Sequence, residues 1–192
     1  MNRLDLVVGP NGAGKSTFVE FTLAPLLPRS VFVNAYEIAR RRWPADSDAH
    51  AYEAAKIAAA TRTRLIELRR AFIAETVFSH PSKLELIDTA QAASYTVVLH
   101  VLLIPEELAV ERVKRRVASG GHAVPEDKIR QRYQRLWPLV ATAFVRCDSA
   151  TVFDNSALKG PRIVAQMSGG QLVGAPTWPA WAPSALTSRR PA

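Results

Sequence analysis

The segment Gly9-Pro10-Asn11-Gly12-Ala13-Gly14-Lys15-Ser16-Thr17 constrains the fold of this chain more than any other feature. It fits the pattern G-x-x-x-x-G-K-[ST], between an apolar run, Leu4-Asp5-Leu6-Val7-Val8, and a stretch of helical composition. Strand, glycine-rich loop and helix in that order make a phosphate cradle. Glycine lets backbone N–H groups turn inward around phosphate oxygens, and the helix N-terminus adds positive potential. The spacing predicts that residues 9–17 bind a nucleoside triphosphate, with Lys15 reaching its β- and γ-phosphates and Ser16 ligating Mg²⁺. A glycine-rich turn without a ligand is the plain alternative, and the flanking strand and helix argue against it.

The rest of the chain continues the alternation. Residues 3–8, 30–34, 71–76, 95–104 and 150–153 read as strands. Helices are predicted over residues 15–26, from a cap at Asp46 or Ser47 to about Arg70, from Pro81 to about Ala92, from Pro105 to Gly120-Gly121, and onward from Pro125. Along the last of these, Ile129, Tyr133, Leu136, Val140 and Phe144 form one apolar stripe. The strand from Tyr95 to Ile104 is apolar nearly throughout, which implies a sheet covered on both faces. The predicted class is α/β: a P-loop kinase-like, doubly wound, mostly parallel five-stranded sheet flanked by helices, with a small helical lid and a C-terminal hairpin about Ser168-Gly169-Gly170. Residues 1–173 are expected to form the kinase domain, with the lid at about 118–125. Residues 174–192 form a Pro/Ala-rich tail, either loose or a strap docked by Trp178 and Trp181. Ligands of such sheets sit at the carboxyl ends of the strands, so the loop should meet the polar residues 34–37, 75–80 and 154–155.

Composition narrows the functional classes. With 192 residues, 48% of them hydrophobic and 22% charged, the chain suits one domain that needs no metal or disulfide staple. No apolar run reaches membrane-spanning length. The chain enters a strand almost at once, so no secretory signal is expected, and the single Cys147 excludes an intramolecular disulfide and fits a reducing cytoplasm. The net charge of +8 is mostly arginine, which grips phosphate bidentately. There is no long basic tail or aromatic-basic interleaving, which favours a small anionic substrate over nucleic acid.

The wording of the loop is shared with transporter-type ATPases, and Met167-Ser168-Gly169-Gly170-Gln171 resembles their signature motif. It lies between two short apolar stretches near the C-terminus, however, where a tight turn explains it better. Residues 3–165 instead resemble the zeta-toxin family of P-loop kinases. Beyond the loop the resemblance rests on Val33-Asn34-Ala35-Tyr36-Glu37-Ile38-Ala39, on Phe72-Ile73-Ala74-Glu75-Thr76-Val77-Phe78-Ser79, on Glu111-Arg112 with Arg116, on the run from Gly120-Gly121-His122 to Arg132-Tyr133, and on Phe153-Asp154-Asn155-Ser156. The resemblance implies a kinase that uses ATP and Mg²⁺ on a small-molecule acceptor such as the nucleotide sugar UDP-N-acetylglucosamine, restrained by an antitoxin protein.

One position departs from that family. Its members read Asn-Ala-Asp after the second strand, with the aspartate as base for the acceptor hydroxyl; here the residue is Tyr36. A phenol with a pKa of about 10 is a poor base at neutral pH. Glu37 or Glu75 takes the role, or the acceptor differs, or the protein is an ATP-binding switch or weak ATPase acting through a partner. An RNA or polynucleotide kinase is a further alternative, favoured only by the charge. The expected catalytic set is Lys15, Glu75, Arg116 and Arg132. Asn34, Tyr36, Glu37, Thr76 and His122 are expected at the acceptor. Arg112 reads as a solvated helix residue, and Arg130 and Arg132 fall on different helix faces, so only one should enter the site. His50, His80 and His100 lack metal-ligand spacing, and Cys147 reads as inert.

Overall fold

The computed structural model describes residues 2–121 and 123–188. Its centre is β1 (Arg3–Val8), which pairs in parallel with β3 (Phe72–Thr76) on one side and β4 (Thr96–Leu103) on the other. Strand β2 (Val31–Val33) lies outside β3, and β5 (Ser149–Asp154) outside β4, also in parallel. The five expected strands therefore form, but the sheet has seven. The hairpin of β6 (Arg162–Ser168) and β7 (Gln171–Leu172) continues the sheet from β5 in antiparallel fashion, giving the order β2-β3-β1-β4-β5-β6-β7. Val164, Ala165 and Met167 of β6 are buried, so the hairpin covers the edge of β5 rather than standing apart. Gly169 and Gly170 both take positive φ, 54° and 80°, as a two-residue hairpin turn requires.

Alternation along β1 divides the core. Leu4, Leu6 and Val8 join the larger cluster, with Phe72, Val97, Leu99 and, from α7 (Glu126–Arg146), Tyr133, Leu136, Val140 and Phe144. Val7 points to the other face and meets Phe18, Val110 and Val113, supplied by α1 (Lys15–Phe18) and α6 (Glu106–Ala118). The predicted stripe Ile129, Tyr133, Leu136, Val140 and Phe144 is buried throughout. Behind α1 the chain continues as a π-helical turn (Val19–Leu23) and α2 (Ala24–Leu26).

The helix expected to run to about Arg70 is α4 (Ala51–Glu67), capped at His50 rather than at Asp46 or Ser47, and a further helix that was not expected, α3 (Ala35–Arg42), precedes it. Pro44 disfavours helical geometry at Trp43, and the Trp43 ring stacks on His50 at 4.4 Å, closing residues 43–50 into a compact turn. Next along the chain, α5 (Ser82–Ala92) packs against α7 and β4. The tail is a strap as far as it is described. Trp178 and Trp181 pack on the larger cluster, and Leu186 of α8 (Ser184–Thr187) is fully buried. No helix among the described residues is long and apolar enough to cross a membrane.

Candidate active site

The phosphate loop leaves β1 at the centre of the sheet, where it is pressed against neighbours. A Cβ on Gly9 would lie 2.6 Å from the Leu102 carbonyl oxygen of β4. Gly14, at φ 81°, caps α1, and a Cβ there would lie 2.8 Å from Nδ2 of Asn155. That amide in turn donates to the Ala13 carbonyl at 2.8 Å. Arg112 ties the same loop to the segment after β5, donating to the carbonyls of Gly12 and Ser156 at 3.5 and 3.3 Å. It is therefore a positioning residue rather than a solvated one, and Asn155 has a matching role.

Lys15 is 7% exposed, and its ammonium donates to the carbonyls of Gly9 and Pro10 at 3.1 and 2.9 Å. Burial pushes its pKa down; the Glu75 carboxylate opposes this and the Arg116 charge adds to it. A buried cation held only by carbonyls has strong affinity for an anion. Within the same loop the buried Asn11 Oδ1 has no hydrogen-bond partner among the described residues.

At the end of β3, Glu75 stands opposite Val7 of β1. One of its oxygens, Oε2, accepts from Ser16 Oγ at 2.8 Å and from Asn34 Nδ2 at 2.5 Å. Asn34 in turn caps α3, its Oδ1 accepting from the backbone N–H of Tyr36 at 2.7 Å and of Glu37 at 3.4 Å. Glu75 thus ties the loop serine to the start of the helix that carries Tyr36. A hydroxyl and a carboxylate side by side form the hard oxygen donor set that magnesium prefers, so the residues present fit that ion.

These groups open onto a cleft of about 370 Å³. Lys15, Ser16, Glu75 and Thr76 line it from the sheet edge, and Asn34 and Tyr36 from the start of α3. Arg116, near the end of α6, and Arg132, on α7, close it with positive charge. Of the loop, Asn11 and Gly12 also face the cleft, whereas Gly9, Pro10 and Ala13 are buried behind it and Thr17 is exposed elsewhere. Glu37 does not line the cleft, and it lies 3.9 Å from Arg41 on α3. Arg130 is drawn away from the cleft by Glu106, Glu107 and Glu126, leaving Arg132 to face it. His122 lies outside the described residues. Cys147 is buried, and its pKa is raised to about 12 by burial and by the nearby Asp148 and Asp88.

Three polar cleft residues escaped the reading of the sequence: Ser47, Asp48 and Lys83. Asp48 belongs to the turn between α3 and α4, which folds over the site because Pro44 and the Trp43–His50 stack reverse the chain. Pro44 was the available signal. The cleft continues into a second space of about 630 Å³, which shares Tyr36, Asp48 and Arg116 and is bounded by Arg40 and by Gly120-Gly121 after α6. The wall after β3 is strained. Phe78 is fully buried at φ +64°, a conformation unfavourable for a bulky residue, and its anchored ring presents Ser79 and His80 to the cleft.

A model of the family described as Zeta toxin matches residues 2–158. This chain belongs to the zeta toxin family. Among relatives of this family member, an uncharacterized protein of Haemophilus influenzae is 28% identical over 133 residues, covering 69% of this chain and 93% of that one. Among solved structures, the AvrRxo1-ORF1:-ORF2 complex with ATP superposes with a TM-score of 0.70 at 16% identity, over 90% of this chain and 60% of that one. This zeta toxin family chain thus spans about three-fifths of that relative's length. The PezAT chromosomal toxin-antitoxin system of Streptococcus pneumoniae superposes with a TM-score of 0.64 at 13% identity, over 86% and 72% of the two chains. At these identities the superpositions establish the shared P-loop kinase-like fold.

Proposed function

We propose that this protein is an ATP-dependent small-molecule kinase that moves the γ-phosphate to a hydroxyl of a nucleotide sugar such as UDP-N-acetylglucosamine. The observation that carries this reading is the single cleft onto which Lys15, Ser16, Glu75, Arg116 and Arg132 all open. Phosphoryl transfer is largely positioning and charge neutralisation, and these residues supply both. The loop and Lys15 hold the triphosphate, while Arg116 and Arg132 balance charge on the transferring group. Ser16 and Glu75 would hold magnesium, which supplies further charge neutralisation when bound. The segment 118–125, with Gly120 at φ +79°, serves as a lid that excludes water on closing. A cytoplasmic setting and an antitoxin protein partner belong to the same reading.

The acceptor needs a base, and Tyr36 is unsuited to the task. The carboxylates lining the 370 Å³ cleft are Glu75 and Asp48. Asp48 lines both the cleft and the adjoining space together with Tyr36, so Asp48 is the group we assign to the acceptor proton, with Tyr36 beside it as a binding surface. Tyr36 also supports a second reading, in which the protein is a nucleotide-dependent switch with slow ATP hydrolysis.

The test is an ATP-consumption screen over nucleotide sugars, nucleosides and RNA 5′ ends, with mass detection of product. A phosphorylated nucleotide sugar is the expected result; ATP loss without any phosphorylated acceptor supports the switch instead. With an acceptor found, Asp48→Asn should lower transfer by roughly 10²–10⁴-fold. Tyr36→Asp placed in that background should restore part of the loss.

A further inference from the structure

One wall of the cleft is formed by the residues after β3 and the first turn of α5, and it carries Lys83. Lys83 is half-buried in the turn where the helix presents its own positive end, an unfavourable place for a cation. Arg62 on α4, also half-buried, is near enough for its charge to act on Lys83. The buried face of α4 reads Ala54, Ala58, Arg62, Leu65, spaced as one helical stripe, so an arginine occupies what is otherwise an apolar position. Neither side chain makes a hydrogen bond or ion pair with a described residue. Burial pushes the Lys83 pKa down and repulsion from Arg62 adds to it, while burial alone lowers that of Arg62.

The chain does not lack carboxylates to neutralise such a pair. Arg64 is matched by Glu67, Arg115 by Glu111, Arg146 by Asp88, and Arg130 by three glutamates. Arg64, Arg115 and Arg146 are on exposed helix faces, where pairing contributes little, and the half-buried Arg130 is fully neutralised by its glutamates. The unmatched pair is at the cleft, where desolvation makes charge expensive. A protein that leaves two half-buried cations together beside a ligand cleft has placed a potential there that only an incoming anion satisfies.

We propose that Lys83, with Arg62 behind it, forms an anion subsite separate from the phosphate loop, and that it takes a phosphate group of the acceptor. The acceptor is then a phosphorylated small molecule, a sugar phosphate or nucleotide sugar, rather than a neutral polyol or nucleoside. The identity of the ligand as acceptor rests on the kinase reading, whereas the existence of the subsite does not.

The experiment uses the full chain with saturating magnesium and a non-hydrolysable ATP analogue, so that the loop and its γ-phosphate position are filled. Glucose 1-phosphate and inorganic phosphate are then titrated by calorimetry, with glucose as the neutral control. Binding of both phosphates and not of glucose is expected. Lys83→Gln should weaken that binding at least tenfold, and Arg62→Gln should weaken it to a smaller degree. The thermal midpoint of ligand-free Lys83→Gln should equal or exceed that of the parent, because the repulsion is gone; a purely structural lysine would lower it. Absence of phosphate binding with the loop filled, or equal binding by Lys83→Gln, overturns the subsite. If binding behaves as expected while no acceptor is ever phosphorylated, the subsite stands and the kinase reading falls.

Discussion

Replacing Glu75 by glutamine separates the charge of this residue from its shape. Ser16 Oγ and Asn34 Nδ2 both donate to the same oxygen, Oε2. A glutamine amide can therefore keep both hydrogen bonds by placing its carbonyl oxygen there and turning its NH₂ toward the cleft. What is lost is charge assistance. Hydrogen bonds to charged groups contribute about 1.5–3 kcal/mol and neutral ones about 0.5–1.5, so two such exchanges destabilise the nucleotide-free protein by about 2 kcal/mol. The buried Lys15 loses a compensating charge as well. Glu75→Ala goes further, since the Asn34 amide, at 6% exposure, is left without a partner and its cap on α3 is loosened; about 3–4 kcal/mol is expected. Urea unfolding followed by circular dichroism measures both changes. A second readout is the magnesium concentration needed for binding of an ATP analogue, which should rise at least ~10-fold in Glu75→Gln because the carboxylate beside Ser16 is gone. Stability of Glu75→Gln within about 0.5 kcal/mol of the parent, the range of an ordinary surface substitution, combined with an unchanged magnesium requirement, would refute the reasoning.

Lys15→Ala should abolish nucleotide-induced stabilisation in thermal unfolding. Because burial lowers the Lys15 pKa, the folded parent releases that proton before the unfolded chain does. The nucleotide-free parent should therefore gain stability as pH rises toward 10.5, and the variant should lack that gain. Gly9→Ala should destabilise by about 2–4 kcal/mol in urea unfolding, since its Cβ would meet the Leu102 carbonyl of a central strand that cannot retreat. Asp5 is fully buried; burial pushes its pKa up, but hydrogen bonds from His100 and Arg3 outweigh this and hold it below 3.8. Its contribution is present above that pH and lost as pH falls through the depressed value. Asp5→Ala should cost about 3–5 kcal/mol at neutral pH, and acid titration of the two proteins should show the loss vanishing in strong acid.

The phosphate loop, the five parallel strands, the stripe on α7 and the tight turn at Gly169-Gly170 were all legible in the sequence. Each is encoded over a few neighbouring residues, by turn chemistry or by a period of 2 or 3.6. Other features were not. Leu172 and Val164 announce a hairpin but not that it extends the sheet. Asp48 is an ordinary polar residue just after the expected helix cap, and only the reversal at Trp43–His50 lays it over the cleft. Arg132 was already expected in the site from the family resemblance; what the sequence did not show is that Glu106 and Glu107, a helix away, hold Arg130 out of it. Arg62 and Lys83 are ordinary basic residues until β3 and its following loop bring Lys83 within electrostatic reach of Arg62. The loop's affinity for phosphate is a property of backbone direction within one segment, so local sequence determines it. The composition of the cleft around it depends on which strands are neighbours and where each helix crosses the sheet, and those placements are set by burial summed over the whole core.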